Sequence, residues 1–147
     1  MLLGGVFHSE AGCGNGAQWE ENIQKLPSGC KLILSDFSYG MVEIVKNKYA
    51  DDSNITAQQI DIQCIDYPDE SFDVVIANHM LYHVPDLSKA LSEVSRVLKP
   101  NGTFYAATNG NGGLRAFLED ELQRADPDAD GIFRKNGASV FRTGVNN

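Results

Sequence analysis

The chain has 147 residues, 42% of them hydrophobic and 22% charged, with a formal net charge of −8. That length allows one domain burying roughly 68–70% of its unfolded surface, and the negative balance excludes a protein built to grip a nucleic-acid backbone, which needs clustered Lys and Arg. Three widely separated cysteines without a Cys-x-x-Cys pair exclude a disulfide scaffold or zinc knuckle, and no apolar run approaches ~20 residues, so no membrane partner and a cytoplasmic location are expected.

Strand-like and helix-like segments alternate along the chain. A first strand is expected over about Leu3 to Ser9, although His8 and Ser9 are unusual where a central strand buries aliphatic groups. The stretch Gly12-Cys-Gly-Asn-Gly16 then makes a glycine-rich turn, and a helix is expected from Ala17 to Leu26, closed by Pro27-Ser-Gly29. The second strand, Lys31 to Asp36, leads into a helix that Ser38 can cap, with Met41, Ile44 and Val45 on its apolar stripe.

A third strand follows at Ile55 to Asp61, and Phe72-Asp-Val-Val-Ile-Ala77 reads as a strand covered on both faces. Asp86 caps a helix carrying Leu87, Ala90, Leu91, Val94 and Leu98, which stops at Pro100-Asn-Gly102. Strand five is Thr103 to Ala107, followed by a helix from Leu114 to Ala125. Beyond it only Ser139 to Thr143 looks strand-like. Residues 131–147 carry three basic groups and no acid, and 126–147 reads as a solvated tail on a core of residues 3–110. Strands spaced by helices define an α/β, doubly wound parallel sheet in one domain, residues 1–147.

A glycine turn after the first strand and a carboxylate, Asp36, ending the second point to a nucleoside-bearing ligand, because the turn lets main chain approach it while the acid takes ribose hydroxyls. The loop itself fits two cofactors. Gly12-x-Gly14-x-Gly16 matches a turn used for S-adenosylmethionine, and Gly12-x-Gly14-x-x-Ala17 satisfies a dinucleotide fingerprint. Glu10 favours the first, since an acid there meets an ammonium and repels a pyrophosphate.

Asp61-Ile62 can offer a carboxylate and a backbone N–H to an adenine. Phe72-Asp-Val-Val-Ile-Ala-Asn-His-Met-Leu-Tyr-His-Val84 and Leu98-Lys-Pro-Asn-Gly-Thr-Phe104 add a distinctive pair of segments. Over Val6 to Thr108 the chain resembles the class I S-adenosylmethionine-dependent methyltransferases, within them the small-molecule, ubiquinone/menaquinone group. The resemblance implies a three-layer Rossmann-like sheet of strand order 3-2-1-4-5 with S-adenosyl-L-methionine as cofactor. It places Gly12, Gly14 and Gly16 around the methionine portion and Glu10 near its ammonium. Asp36 falls on the ribose, Phe37 and Met41 beside the adenine, Asp61 and Ile62 at its edge. Asn78 and His79 face the sulfonium and the acceptor, with His79 and Tyr82 as the catalytic candidates.

Measured against that family the chain reads as shortened at both ends, with the usual C-terminal antiparallel strands short or absent and the edge of strand five open to a homodimer contact. The expected function is methyl transfer to a small-molecule acceptor. The alternative is a non-catalytic S-adenosylmethionine-binding or assembly module, and a nicotinamide-dependent oxidoreductase ranks third. No metal is expected, because His79 and His83 straddle a strand end rather than one helix face, and the calcium-like opening Asp126-Pro-Asp-Ala-Asp-Gly131 has Gly137 where the bidentate glutamate belongs.

Overall fold

Apolar residues that alternate onto both faces of a strand force helices to cover both sides of a sheet, and β2, Lys31–Asp36, shows the rule: Leu32 and Leu34 enter one core cluster, Ile33 the other. The computed structural model describes residues 7–107, 120, 124, 130–133 and 138–142. β1 (Phe7–Ala11) pairs in parallel with β2 and with β4 (Phe72–Asn78). β3 (Ile55–Gln59) extends the sheet beyond β2, and β5 (Leu98–Ala107) runs parallel to β4. The order is thus β3-β2-β1-β4-β5, continued by β7 (Ala138–Arg142) and β6 (Asp130–Phe133), both antiparallel.

The parallel core follows the sequence expectation, and the far edge corrects part of it. The C-terminal antiparallel strands are present but short, at five and four residues, and they lie in the segment expected as a tail. Because β7 pairs with β5 from Thr103 to Ala107, the edge of β5 is covered and offers no homodimer seam. Asp130 and Gly131, the end of the calcium-like motif, start β6, while residues 126–129 fall outside the described residues. So does most of the expected helix from Leu114 to Ala125, of which Asp120 and Arg124 are helical and ion-paired at 2.7 Å. Leu3 to Val6 also lie outside, and β1 extends two residues past the expected Ser9.

Helix α1, Tyr39–Lys48, starts at Ser38, whose Oγ accepts the Met41 N–H at 3.5 Å. Its buried stripe is Val42 and Val45, continued by Tyr49, whereas Met41 and Ile44, expected inward, are exposed. Helix α2, Leu87–Val97, buries Leu87, Ala90, Leu91, Val94 and Val97 against the opposite face. It ends three residues before Pro100, because Leu98 already pairs with Phe72 and β5 bulges through Pro100-Asn101, with Asn101 at φ 65°.

The segment after the glycine turn is not the expected helix. It forms two short 3₁₀ turns, Ala17–Trp19 and Ile23–Lys25. The Asn22 side chain donates to the Gln18 carbonyl at 2.6 Å, the acceptor a helix would reserve for its own backbone, and a segment this short has little propensity to resist. No described helix is long and apolar enough to cross a membrane. Val45→Ala, removing a side chain with no exposure, is expected to cost about 2 kcal/mol of stability, while Ile44→Ala stays within about 0.5 kcal/mol. Urea denaturation of both variants measures the difference.

Candidate functional site

Strand tips at the carboxyl end of a parallel sheet leave a crevice where neighbouring connections diverge to opposite faces, and here it lies beside β1. A cleft of about 420 Å³ is lined by Ala11 and Gly12 at the end of β1, Asp36 and Phe37 at the end of β2, Ile60 to Gln63 after β3, and His79, Met80 and His83 to Pro85 after β4. That volume suits a small organic ligand.

The glycine turn is held by its neighbours. Gly12 has φ 69°, and a Cβ there would stand 2.7 Å from Met80 Cβ and Cγ, so this glycine is fixed by backbone conformation and by packing. Gly14 has φ 56°, and a Cβ there would meet nothing within 4 Å, which leaves open space at the middle of the turn. Gly16 packs on Val45 and Tyr49, and its carbonyl accepts the Tyr49 hydroxyl at 2.8 Å. Lys48 Nζ donates to the Asn15 carbonyl at 3.0 Å and pairs with Glu20 at 2.7 Å.

Asp36 ties this turn to the cleft. Its Oδ2 accepts the Gly14 N–H at 3.0 Å and its Oδ1 the Ser38 N–H at 2.8 Å. Phe37, beside it, is 72% exposed at the cleft wall, an unusual cost for a free aromatic ring. Across from them, Asp61 Oδ1 accepts from the Gln63 backbone and side chain, and Ile62 is buried beneath.

The loop carrying Asp61 is braced from α2. Glu93 Oε2 accepts the Ile65 N–H at 2.8 Å, and Arg96 donates to the carbonyls of Ile65 and Tyr67 at 2.7 and 2.8 Å while pairing with Glu93 and Asp69. The Arg96 hydrogen bonds hold the Glu93 carboxyl below its usual range.

His79 takes a left-handed backbone, φ 52°, pinned by its N–H to the Ala107 carbonyl at 2.7 Å. A non-glycine residue in that region is strained, and such strain concentrates where a side chain must be aimed. His79 and His83 both line the cleft. Tyr82 is 48% exposed, outside the lining, and packs its ring on His83 at 4.3 Å.

Of the expected site residues, Gly12, Asp36, Phe37, Asp61, Ile62 and His79 converge on this cleft; Gly14 adjoins it through Asp36, while Gly16, Met41 and Tyr82 do not line it. Glu10 and Asn78 correct the expectation outright. Residues alternate across a strand, so with Ala11 on the cleft side Glu10 projects to the opposite face, where it is 1% exposed and accepts from Gln18 Nε2 and Trp19 Nε1. Asn78, one residue from His79, likewise turns to that face and donates to Gln18 Oε1 at 3.3 Å. Burial pushes the Glu10 carboxyl up to about 7; the Trp19 and Gln18 donors oppose the shift and the Asp36 charge adds to it.

Sequence reasoning alone does not find Gln63, Met80, His83, Val84, Pro85, Lys48 or Tyr49 at the site. Only Tyr49 carries a usable signal, as the next step of the α1 stripe through Val42 and Val45. Among the described residues no group of three or more metal-ligating side chains occurs.

A parallel sheet of order 3-2-1-4-5 with a nucleoside-sized cleft at its switch point defines the class of α/β cofactor-binding domains. Within that class the chain belongs to the methyltransferase domain family, whose model matches residues 9–106. Membership implies S-adenosylmethionine as the cofactor, and the clear space at Gly14 together with the Asp36 and Asp61 acceptors fits it.

The chain is 37% identical over 82 residues to the ubiquinone/menaquinone biosynthesis C-methyltransferase UbiE of Francisella philomiragia, covering 54% of this chain and 33% of that protein. It is 36% identical over 75 residues to a demethylmenaquinone methyltransferase of Clavibacter sepedonicus, covering 51% and 31%. It therefore spans about a third of the length of these curated relatives. A solved S-adenosylmethionine-dependent methyltransferase from Aquifex aeolicus superposes with a TM-score of 0.74 at 18% identity, over 97% of this chain and 84% of that one, a likeness of fold.

Two outcomes follow from this geometry. Gly12→Ala should lower stability by about 1–3 kcal/mol through strain and the Met80 clash, whereas Gly14→Ala carries the backbone cost alone, about 1 kcal/mol; thermal denaturation ranks the pair. Glu10 binds its proton more tightly folded than unfolded, so its contribution makes stability fall as pH rises from about 4.5 to about 7 and stay level above. Urea midpoints across that window should show a flatter profile in Glu10→Gln, and an unchanged slope would assign the titration to another group.

Proposed function

We propose that this chain is a small-molecule methyltransferase domain that takes S-adenosylmethionine into the cleft and receives its acceptor against the wall from His79 to Pro85. One observation carries the reading: Gly12 of the glycine turn, Asp36 and Phe37 from one strand tip and Asp61 and Ile62 from the next line a single cleft. When bound, the cofactor supplies a methyl group carried on cationic sulfur. The chain's own residues supply orientation.

Asp36, whose two oxygens each already hold a backbone N–H, is immobilised as an acceptor for ribose hydroxyls. The exposed Phe37 ring covers the base, with Met41 one turn along α1 beyond it. Asp61 and the Ile62 backbone read the edge of that base. The open space at Gly14 admits the methionine portion to the main chain, with Gly12 and Gly16 keeping the turn in shape.

On the facing wall Met80, Val84 and Pro85 exclude water, and an imidazole nitrogen of His79 or His83 can hold the acceptor's proton. Tyr82, whose ring packs tilted against His83, orients that ring. Alignment is the larger lever, since positioning lowers a barrier by about 7–11 kcal/mol and a placed base by about 3–5 kcal/mol. By likeness to the two quinone-pathway relatives, the acceptor is an aromatic quinone-type ring methylated at carbon, which the apolar wall beside two imidazoles would suit.

Titration calorimetry with S-adenosylmethionine, S-adenosylhomocysteine and NAD tests the reading. Binding of the two sulfur nucleosides without NAD is expected, and Asp36→Ala should weaken it by about 1–3 kcal/mol. NAD binding alone would overturn the cofactor; binding without turnover over a panel of quinol-type rings would leave a cofactor-binding module.

A further inference from the structure

Gln63 lies in the cleft wall and spends both ends of its amide on structure. Its backbone N–H and its Nε2 donate to Asp61 Oδ1 at 2.9 and 3.2 Å, and its Oε1 accepts the backbone N–H of Asp86 at 3.1 Å. The amide orientation is fixed by its partners, because a carboxylate only accepts and a backbone N–H only donates. Asp86 in turn caps α2, its Oδ1 accepting the Lys89 N–H at 3.1 Å. One side chain therefore joins the loop of Asp61 and Ile62 to the turn His83-Val84-Pro85 on the facing wall.

We infer that Gln63 is a positioning residue that makes the cleft selective for a ring bearing an amino group: it occupies Asp61 Oδ1 with two donors, so that Oδ2, which has no donor among the described residues, is the oxygen left for a ligand N–H. The inference rests on the proposal that this cleft takes an adenosine-bearing ligand. A six-amino purine brings such an N–H to the carboxylate. A six-oxo purine brings a carbonyl, and two acceptors face one another at a cost. Discrimination of this kind requires a carboxylate that cannot rotate away; the Gln63 backbone N–H holds Oδ1 at one point, and the Gln63 amide adds the second donor that restrains the rotation. The link to Asp86 adds a second effect, since it fixes the separation of the two walls.

Calorimetry with S-adenosylhomocysteine and S-inosylhomocysteine on the parent chain, Gln63→Ala and Gln63→Glu reads the selectivity as a ratio of affinities, which a general loss of stability would not change. The parent should prefer the adenosyl ligand. Gln63→Ala should reduce that preference by about five-fold, the worth of one hydrogen bond, and Gln63→Glu should not restore it, because it sets a carboxylate against Asp61.

Amide hydrogen exchange on the ligand-free chain should show faster exchange at Asp86 in Gln63→Ala. A parent-like ratio in Gln63→Ala, or unaltered exchange at Asp86, overturns the inference alone. Failure of the parent to bind either ligand overturns it together with the cofactor proposal.

Discussion

The site depends on one carboxylate. Asp36 ends β2, and its two oxygens accept the Gly14 N–H from the turn after β1 and the Ser38 N–H at the start of α1. Three of the five residues of the turn are glycines, and apart from Asn15 Oδ1, which accepts the Ala17 N–H at 3.0 Å, it has little with which to hold itself, so most of its shape is imposed from outside. Asp36 imposes it on one side and α1 on the other, through the Tyr49 hydroxyl on Gly16 and Lys48 on Asn15. The same residue also lines the cleft, so the group that shapes the loop borders the space the loop encloses. Losing it would disturb geometry and contact together, which separates Asp36 from a carboxylate that only touches a ligand.

The opposite wall is braced in another way. Asp61, Ile62 and Gln63 sit on a connection with little regular structure, and a free loop of that kind would not hold a cleft open. Arg96 and Glu93 project from α2 and engage the backbone at Ile65 and Tyr67, while Tyr67 OH donates to Gln58 at 2.6 Å. Arg96 satisfies carbonyls that no strand pairs with, in the fork geometry a guanidinium allows. The helix that covers one face of the sheet thereby shapes the cleft from behind.

What the sequence disclosed divides along physical lines. The central strands were legible because a two-face apolar run such as Val74-Val75-Ile76-Ala77 has few other structural uses, and the caps Ser38 and Asp86 were legible because each side chain reaches only its own helix start. The segment Ala17 to Leu26 was not, because the competition of the Asn22 side chain for a backbone carbonyl leaves no periodic trace. Of the α1 stripe Val45 is legible, but Met41 and Ile44 are as apolar as Val42, and only the sheet decides which of them face it. Short antiparallel strands at the far edge gave a weak signal for the same reason: Asp130–Phe133 is four residues whose strand state comes from pairing with β7. Of the cleft, Gly12, Asp36, Phe37, Asp61, Ile62 and His79 are legible in the sequence, while Gln63, Met80 and the turn at His83 become visible only when β3 and β4 are set on either side of the gap.

Glu10 shows why a motif position does not specify a side chain's task. Its place before the glycines suits a ligand ammonium, yet strand alternation sends it to the face where Trp19 and Gln18 wait. There it performs a structural role that the missing helix makes necessary. Two 3₁₀ turns cannot hold themselves on a sheet as a full helix would, and a buried carboxylate accepting from both a tryptophan and a glutamine supplies the anchor. Gln18 passes the connection on to Asn78 at the end of β4, so the tips of β1 and β4 are joined on the face opposite the cleft. The strained His79 follows Asn78 directly, and the backbone that brings His79 to the cleft is therefore held from behind by the same network.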